Sequence, residues 1–118
     1  MHELCFLQNK RDEWSKTGLV CSLNYRHSIT IPVKIRQRLS FISGTEVAVS
    51  ATDTLKEIMI RELAGETSEN IMVISDRGAI RIPIELKRAM RLVKGSTFHV
   101  FISKNEKAVL LARISSSS

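Results

Sequence analysis

Apolar and polar positions in the second part of the chain follow a pattern that predicts a series of short elements. Residues 71–74 form an apolar run that ends in the sequence Ser-Asp-Arg-Gly at 75–78, which is typical of a tight turn. Residues 79–82 have the character of a short strand. Pro83 then occupies a position suited to the first turn of a helix, where its missing N–H costs nothing. The pattern predicts a strand, a turn, a second strand and the start of a helix.

The predicted helix and the strands after it complete the unit. Three apolar residues have the 0, 4, 7 spacing of a buried helical stripe, and these are Leu86, Met90 and Val93. Gly95 ends this pattern at a place where a positive φ is expected. Residues 98–103 alternate as a half-buried strand does. A turn at 103–106 and a returning strand at 108–112 follow.

The same pattern occurs twice, which identifies a tandem duplication. The segment Ser28–Val49 superposes on Ala79–Val100 without a gap at an offset of 51 residues, as from Pro32 to Pro83. Identical matches are Ile29, Ile31, Pro32, Gly44 and Val49 with Ile80, Ile82, Pro83, Gly95 and Val100. The helical stripe of the first copy is Ile35, Leu39 and Ile42. Each copy is therefore predicted to be strand, turn, strand, short helix, strand, turn, strand.

The duplication predicts the domain organisation. Residues 20–63 form the first repeat and residues 70–114 the second, joined by a linker at 64–69. Residues 1–19 form an N-terminal extension without a counterpart, and residues 115–118 form a serine tail that we expect to be disordered. A unit of this size is marginal for an independent core, so we expect both repeats to share one. The expected fold is mainly β with short helices, packed about a pseudo-two-fold axis.

The charge of the chain favours a polyanionic partner. There are 18 Lys and Arg residues against 12 Asp and Glu residues, which gives a net charge of +6. Residues 70–118 hold nine of the basic and three of the acidic residues, so the surplus lies in the second repeat. The N-terminal sequence lacks the pattern of a secretory signal, and no apolar run is long enough for a membrane helix. We therefore expect a cytoplasmic protein without membrane contact.

The sequence offers little to catalysis. His2, His27 and His99 stand apart from any residue that would orient them as a base. Cys5 and Cys21 have neither zinc-site spacing nor a suitably placed histidine. We expect neither enzymatic activity nor a cofactor nor a metal site.

A family resemblance gives these elements a function. The segment Ser75–Arg113 has a turn with Gly78, a strand ending in Ile82-Pro83, a basic amphipathic helix and an apolar-x-x-Gly turn. It resembles the AbrB/SpoVT family of transition-state regulators, which is similar in turn to the MazE antitoxins and the MraZ proteins. The resemblance implies a swapped-hairpin β-barrel, in which two motifs interleave and present a basic surface to double-stranded DNA. Since one chain carries both motifs, it looks most like MraZ.

The resemblance also implies which residues contact DNA. Family members bind through arginines of the first hairpin and the start of the helix. Two hairpin positions that are commonly arginine hold Ser28 and Ala79 after the turn, and Cys21 and Met72 in the first strand. Other basic residues lie close by in the sequence. The resulting DNA-binding candidates are Arg26, His27, Arg36, Arg38, Arg77, Arg81, Lys87, Arg88 and Arg91.

Three functions remain open at the level of sequence. The first is a DNA-binding transcriptional regulator, which could associate further as a homodimer. The second is an antitoxin-type module that binds a partner toxin and regulates its own synthesis. The third is an oligomerising scaffold for which the basic charge is incidental.

Overall fold

A computed structural model describes residues 14–63, 70–103 and 108–114. The first half contains β1 (Trp14–Ser22), β2 (Ser28–Thr30), α1 (Val33–Leu39), β3 (Glu46–Ala51) and β4 (Glu57–Glu62). The second half contains β5 (Asn70–Val73), β6 (Ala79–Arg81), α2 (Ile84–Met90), β7 (Thr97–Ser103) and β8 (Ala108–Arg113). The order of elements is the same in both halves, as the duplication predicted.

Several predicted segments lie outside the described residues. These are residues 1–13 of the N-terminal extension, the linker at 64–69, residues 104–106 of the turn predicted at 103–106, and the tail at 115–118. The rest of the extension belongs to β1, which begins at Trp14. The first strand is thus longer than its counterpart β5.

The strands of the two halves are interleaved in one antiparallel sheet. Its order is β1-β7-β8-β4-β3-β5, so that β1 and β5 are its edges and the sheet is open. β1 pairs with β7 and β5 pairs with β3, which places the first strand of each half beside the third strand of the other. β2 and β6 form a separate antiparallel ribbon. Neither half completes its own sheet.

The registers relate the two halves by an approximate two-fold axis. Ile29 of β2 pairs with Ile80 of β6, its own equivalent at the 51-residue offset. In the same way Met59 of β4 pairs with Leu110 of β8. The residue pairs that flank each of these two central pairs are also exchanged by the 51-residue offset. The two-fold axis therefore passes through both central pairs. The mainly β fold is thereby confirmed, with both halves in a single unit.

The hydrophobic core draws on both halves because the interleaved strands face it together. β-strands bury alternate residues, and the central strands bury consecutive ones as well. The bulkiest fully buried side chains include Leu23, Phe41, Ile74 and Phe98. Ile29 and Ile80 are completely buried beneath the ribbon. The shared core explains how two units of marginal size stabilise each other.

The predicted helical stripes are correct in part. Ile35, Leu39 and Met90 are buried, and Leu86 packs against the core as a half-buried residue. The last position of each stripe is wrong, since Ile42 is 70% and Val93 64% exposed. The helices end three residues earlier, so a helical spacing no longer applies there.

The ends of the two helices explain this difference. Ser40 and Arg91 cap α1 and α2 in the left-handed conformation, with φ of 59° and 54°. Such a cap reverses the direction of the chain and commonly brings the following apolar residue back onto the helix. Phe41 and Leu92, at 1% and 6% exposure, fill the core positions instead.

Candidate nucleic-acid interface

The ribbon of β2 and β6 has one buried and one outward face. Ile29 and Ile80 lie at the centre and point into the core. Because side chains alternate along a strand, the residues on either side of them face outward. Thr30 and Arg81 are exposed, while Ser28 and Ala79 are half-buried. The outward face therefore carries short side chains and one arginine.

A tight turn precedes each strand of the ribbon, and we call these turns tip 1 (residues 24–27) and tip 2 (residues 75–78). In tip 1 the N–H of His27 donates to the Asn24 carbonyl at 3.0 Å, and in tip 2 the N–H of Gly78 donates to the Ser75 carbonyl at 2.9 Å. His27 and Gly78 have φ of 64° and 78°, the left-handed region that glycine adopts most easily. The two turns have the same backbone.

The tips lie at opposite ends of the ribbon, and each contacts the other half of the chain. The N–H of Ile82 donates to the carbonyl of His27 at 2.9 Å. The N–H of Ile31 donates to the carbonyl of Gly78 at 3.0 Å. We call the outward face of β2 and β6, together with both tips, the ribbon surface.

Each helix places a cation against the tip of the other half. Lys87 of α2 hydrogen-bonds through Nζ to Nδ1 of His27 in tip 1. Its equivalent, Arg36 of α1, lies on Gly78 of tip 2 so closely that a Cβ there would come within 2.3 Å of the guanidinium carbon. Arg36 Nε also donates to the Ile31 carbonyl at 2.9 Å. The guanidinium of Arg36 is therefore partly engaged by a backbone carbonyl of its own half of the chain.

The structure brings most of the sequence-predicted DNA-binding candidates to the ribbon surface or against its tips. Arg26, His27, Arg81 and Lys87 meet at the tip 1 end, although they come from different halves. Arg77 and Arg36 meet at the tip 2 end. The remaining candidates are exposed on or beyond the helices, and these are Arg38, Arg88 and Arg91.

Several of these guanidinium groups are available to a ligand. In the described part of the chain, the side chains of Arg38, Arg77, Arg81 and Arg88 have no hydrogen-bond or ion-pair partner. Arg91 is the residue that follows the last residue of α2, and its carbonyl accepts a hydrogen bond from Arg113 at 3.2 Å. Exposed cations without partners are suited to phosphate contact.

Two residues of the tips were not predicted from the sequence. Tyr25 of tip 1 is 64% exposed, and its hydroxyl accepts a hydrogen bond from Arg26 Nε at 3.0 Å. The guanidinium carbon of Arg26 also lies 5.4 Å from the centre of the Tyr25 ring, a cation–π distance. At the equivalent position of tip 2, Asp76 accepts a hydrogen bond from Ser43 Oγ at 2.8 Å. The 51-residue offset aligns Tyr25 with Asp76, and this alignment was the signal that could have singled them out.

A shallow cleft of about 260 Å³ opens beside tip 1. His27, Arg81 and Lys87 line it together with the apolar side chains of Met72 and Pro83. Its volume lies below the range of about 300–1,000 Å³ that is typical of small-molecule and cofactor sites.

Among the described residues there is no cluster of His, Cys, Asp and Glu that could hold a metal ion. Burial raises the pKa of the Cys21 thiol to about 12, so this thiol is protonated and unreactive at neutral pH. Cys5 lies outside the described residues. None of the described helices has the length and apolar character needed to cross a membrane.

No protein-family model matches the sequence, and neither does any curated protein sequence. Among solved structures, the chain is similar to the solution structure of PHS018 from Pyrococcus horikoshii, with 16% identity and a TM-score of 0.49. The similarity covers 85% of this chain and 94% of that one.

Proposed function

We propose that the protein is a regulator that binds double-stranded DNA through the ribbon surface. The observation that carries this proposal is the set of exposed, unpartnered guanidinium groups on that surface, above all those of Arg77 and Arg81. Phosphate contacts by such groups supply a large share of the affinity of a protein for duplex DNA. The net charge of +6 also attracts DNA, at longer range than these contacts.

The dimensions of the ribbon fit a groove of B-form DNA. Between His27 and Ile31 the ribbon and its flanking contacts span four residue steps, which correspond to about 13 Å at a strand rise of about 3.3 Å per residue. The major groove is about 12 Å wide and admits a two-stranded β-ribbon. In this proposal the outward face of the ribbon, with its short side chains, approaches the base edges, while tip 1 and tip 2 approach the flanking phosphates.

The exchange of strands between the halves also supports the proposal. The AbrB/SpoVT resemblance implies that two hairpin motifs interleave, and here β1 and β5 each pair with a strand of the opposite half. We propose that the chain is a tandem form of this swapped-hairpin arrangement. Its function is then binding and regulation rather than catalysis.

Fluorescence anisotropy with duplex DNA over a range of salt concentrations tests this function. Four to six phosphate contacts give a slope of log affinity against log salt of roughly −4 to −5. Arg81→Thr installs the residue found at the equivalent position, Thr30, and is expected to reduce the slope by about one while the ribbon stays folded. Lys16→Ala removes the same charge from the exposed face of β1, away from the ribbon, and serves as the matched control. A slope near zero, or no binding at about 50 mM salt, would contradict the proposal.

A second candidate function, the binding of a partner protein as in antitoxins, is favoured by one observation. A cleft of about 580 Å³ lies at the turn that follows α2. The exposed apolar side chains of Leu55 and Val93 line it with Ile114, together with three basic residues, Lys56, Lys94 and Arg113. Exposed apolar surface of this kind is common at protein interfaces. Pull-down with the wild type and with Val93→Ser, the variant expected to lose the partner, tests it. This candidate is supported if the wild type retains a specific partner that Val93→Ser loses, and it is contradicted if both proteins retain the same partners or none.

A further inference from the structure

The two tips have the same backbone but different chemistry. In tip 1 the N–H of Asn24 donates to the Ser28 carbonyl, and in tip 2 the N–H of Ser75 donates to the Ala79 carbonyl, both at 2.9 Å. The two-fold relation therefore extends to the hydrogen bonds that shape the turns. Any difference in what the tips bind must come from their side chains.

Tip 1 carries groups that bind nucleic acid well. The exposed ring of Tyr25 and the guanidinium of Arg26 lie against each other, and both are accessible from solvent. Aromatic rings and arginine stack on bases, and the guanidinium donates to phosphate or to guanine. Tip 2 instead carries the carboxylate of Asp76, which repels phosphate and accepts hydrogen bonds.

The ribbon between the tips has the same asymmetry. Arg81 stands at the tip 1 end, whereas its equivalent Thr30 stands at the tip 2 end. Arg26 and Arg81 together give the tip 1 end two positive charges, while Asp76 and Arg77 cancel at the tip 2 end. The difference lies along the axis of the ribbon, parallel to the surface that faces DNA in the proposed function.

The helices do not produce this difference. Lys87 and Arg36 contribute one cation to each end. The first turns of the helices differ in the opposite direction, because α1, which contacts tip 2, carries the positive Lys34, and α2, which contacts tip 1, carries the negative Glu85. The asymmetry therefore belongs to the ribbon surface itself and can be altered there without changing the helices.

Proteins with two-fold symmetry read palindromic sites because each half-site meets the same groups. Here the backbone offers two equivalent positions, but they carry unlike groups. We propose that the ribbon surface reads a non-palindromic duplex site in a single orientation, with tip 1 in close contact and with the carboxylate of Asp76 offsetting the attraction of Arg77 to phosphate at tip 2. This inference rests on the proposed DNA-binding function and adds the polarity of the site to it.

Selection of bound duplexes from a random library, with the full chain as bait, tests the inference. The wild type is expected to enrich a motif whose two halves differ. Asp76→Tyr gives tip 2 the residue of tip 1, and it is expected to make the enriched motif more symmetric and to tighten binding. Tyr25→Asp makes the reciprocal change and is expected to weaken binding to the wild-type motif by about tenfold, comparable with one lost base contact. Both positions are exposed and share one backbone conformation, so both variants are expected to fold.

Two controls separate local chemistry from bulk charge. Glu85→Gln adds one unit of charge as Asp76→Tyr does, and Lys34→Ala removes one as Tyr25→Asp does, but neither lies on the ribbon surface. Both controls are expected to leave the symmetry of the enriched motif unchanged. A palindromic wild-type motif, or equal effects of a tip variant and its control, would overturn the inference and leave DNA binding intact. Absence of enrichment together with absence of salt-dependent binding would overturn the proposed function and this inference with it.

Discussion

Replacement of Gly78 by alanine tests the contact between tip 2 and α1. Gly78 is buried with φ of 78°, and a Cβ there would come within 2.3 Å of the Arg36 side chain. Gly95 has an even larger φ of 91°, but a Cβ at that position meets nothing within 4 Å. Both substitutions therefore introduce backbone strain, whereas only Gly78→Ala displaces a neighbour.

The expected losses of stability follow from these geometries. The left-handed conformation costs a residue with a Cβ about 1–2 kcal/mol, which is the whole expected cost of Gly95→Ala. Arg36 is flexible and can move aside, but its hydrogen bond to the Ile31 carbonyl is then lost, at about 1–2 kcal/mol more. Gly78→Ala is expected to cost about 2–4 kcal/mol, which corresponds to a fall in Tm of about 10 °C for a chain of this length.

A double-mutant cycle in urea measures the contact directly. Free energies of unfolding are compared for the wild type, Gly78→Ala, Arg36→Ala and the double variant, with Gly95→Ala as the control for strain. In the Arg36→Ala background, Gly78→Ala is expected to cost no more than Gly95→Ala. The coupling between Gly78 and Arg36 is then about 1 kcal/mol or more. Additive effects within about 0.3 kcal/mol would refute the reasoning, because distant independent sites behave in that way.

Three further predictions concern binding, pH and the shared core. The double variant Lys87→Ala, Arg88→Ala is expected to bind DNA more weakly than the double variant Arg36→Ala, Arg38→Ala, because Lys87 lies at tip 1 whereas Arg36 is engaged by the Ile31 carbonyl. Fluorescence anisotropy compares the two affinities, and circular dichroism checks that both variants fold. Equal losses of affinity, or a larger loss from the second variant, would contradict this assignment. The folded protein holds the Cys21 proton up to a pKa of about 12, whereas the unfolded thiol releases it near 9, so this contribution to stability is complete below pH 9 and is lost as pH rises toward 12. Urea unfolding from pH 8 to 11 should show a decline of up to about 1.4 kcal/mol per pH unit that is absent in Cys21→Ala, and equal profiles would argue against it. The second half expressed alone leaves β5 and β6 without their partner strands and removes one neighbour each from β7 and β8, so it is expected to give no stable folded monomer. A cooperative unfolding transition of that fragment as a monomer would disprove the need for a shared core.

Local structure could be predicted from the sequence because it depends on short-range rules. The turn residues, the prolines and the apolar spacing predicted the order of elements in both halves, and the structure agrees. The positive φ expected at Gly95 is present, at 91°. The duplication itself implied that two marginal units share a core, since each buries too little apolar surface alone.

The ends of the helices could not be predicted in this way. A helical stripe extended to Ile42 and Val93 is reasonable on spacing alone. The left-handed caps at Ser40 and Arg91 end each helix earlier, although neither residue is a glycine that would have indicated it. The packing of the next apolar residue decides where such a helix stops.

The composition of the candidate site also depended on tertiary structure. The sequence placed Arg26 and His27 in the first repeat and Arg81 and Lys87 in the second. Pairing of β2 with β6, and of each first strand with the opposite half, brings them to one end of the ribbon. Strand exchange is a long-range event that no local pattern specifies, because the same hairpin can pair within its own unit or with the other. The sequence by itself thus determined which elements form and which residues carry charge, and the pairing across the two-fold axis decided which of those residues meet.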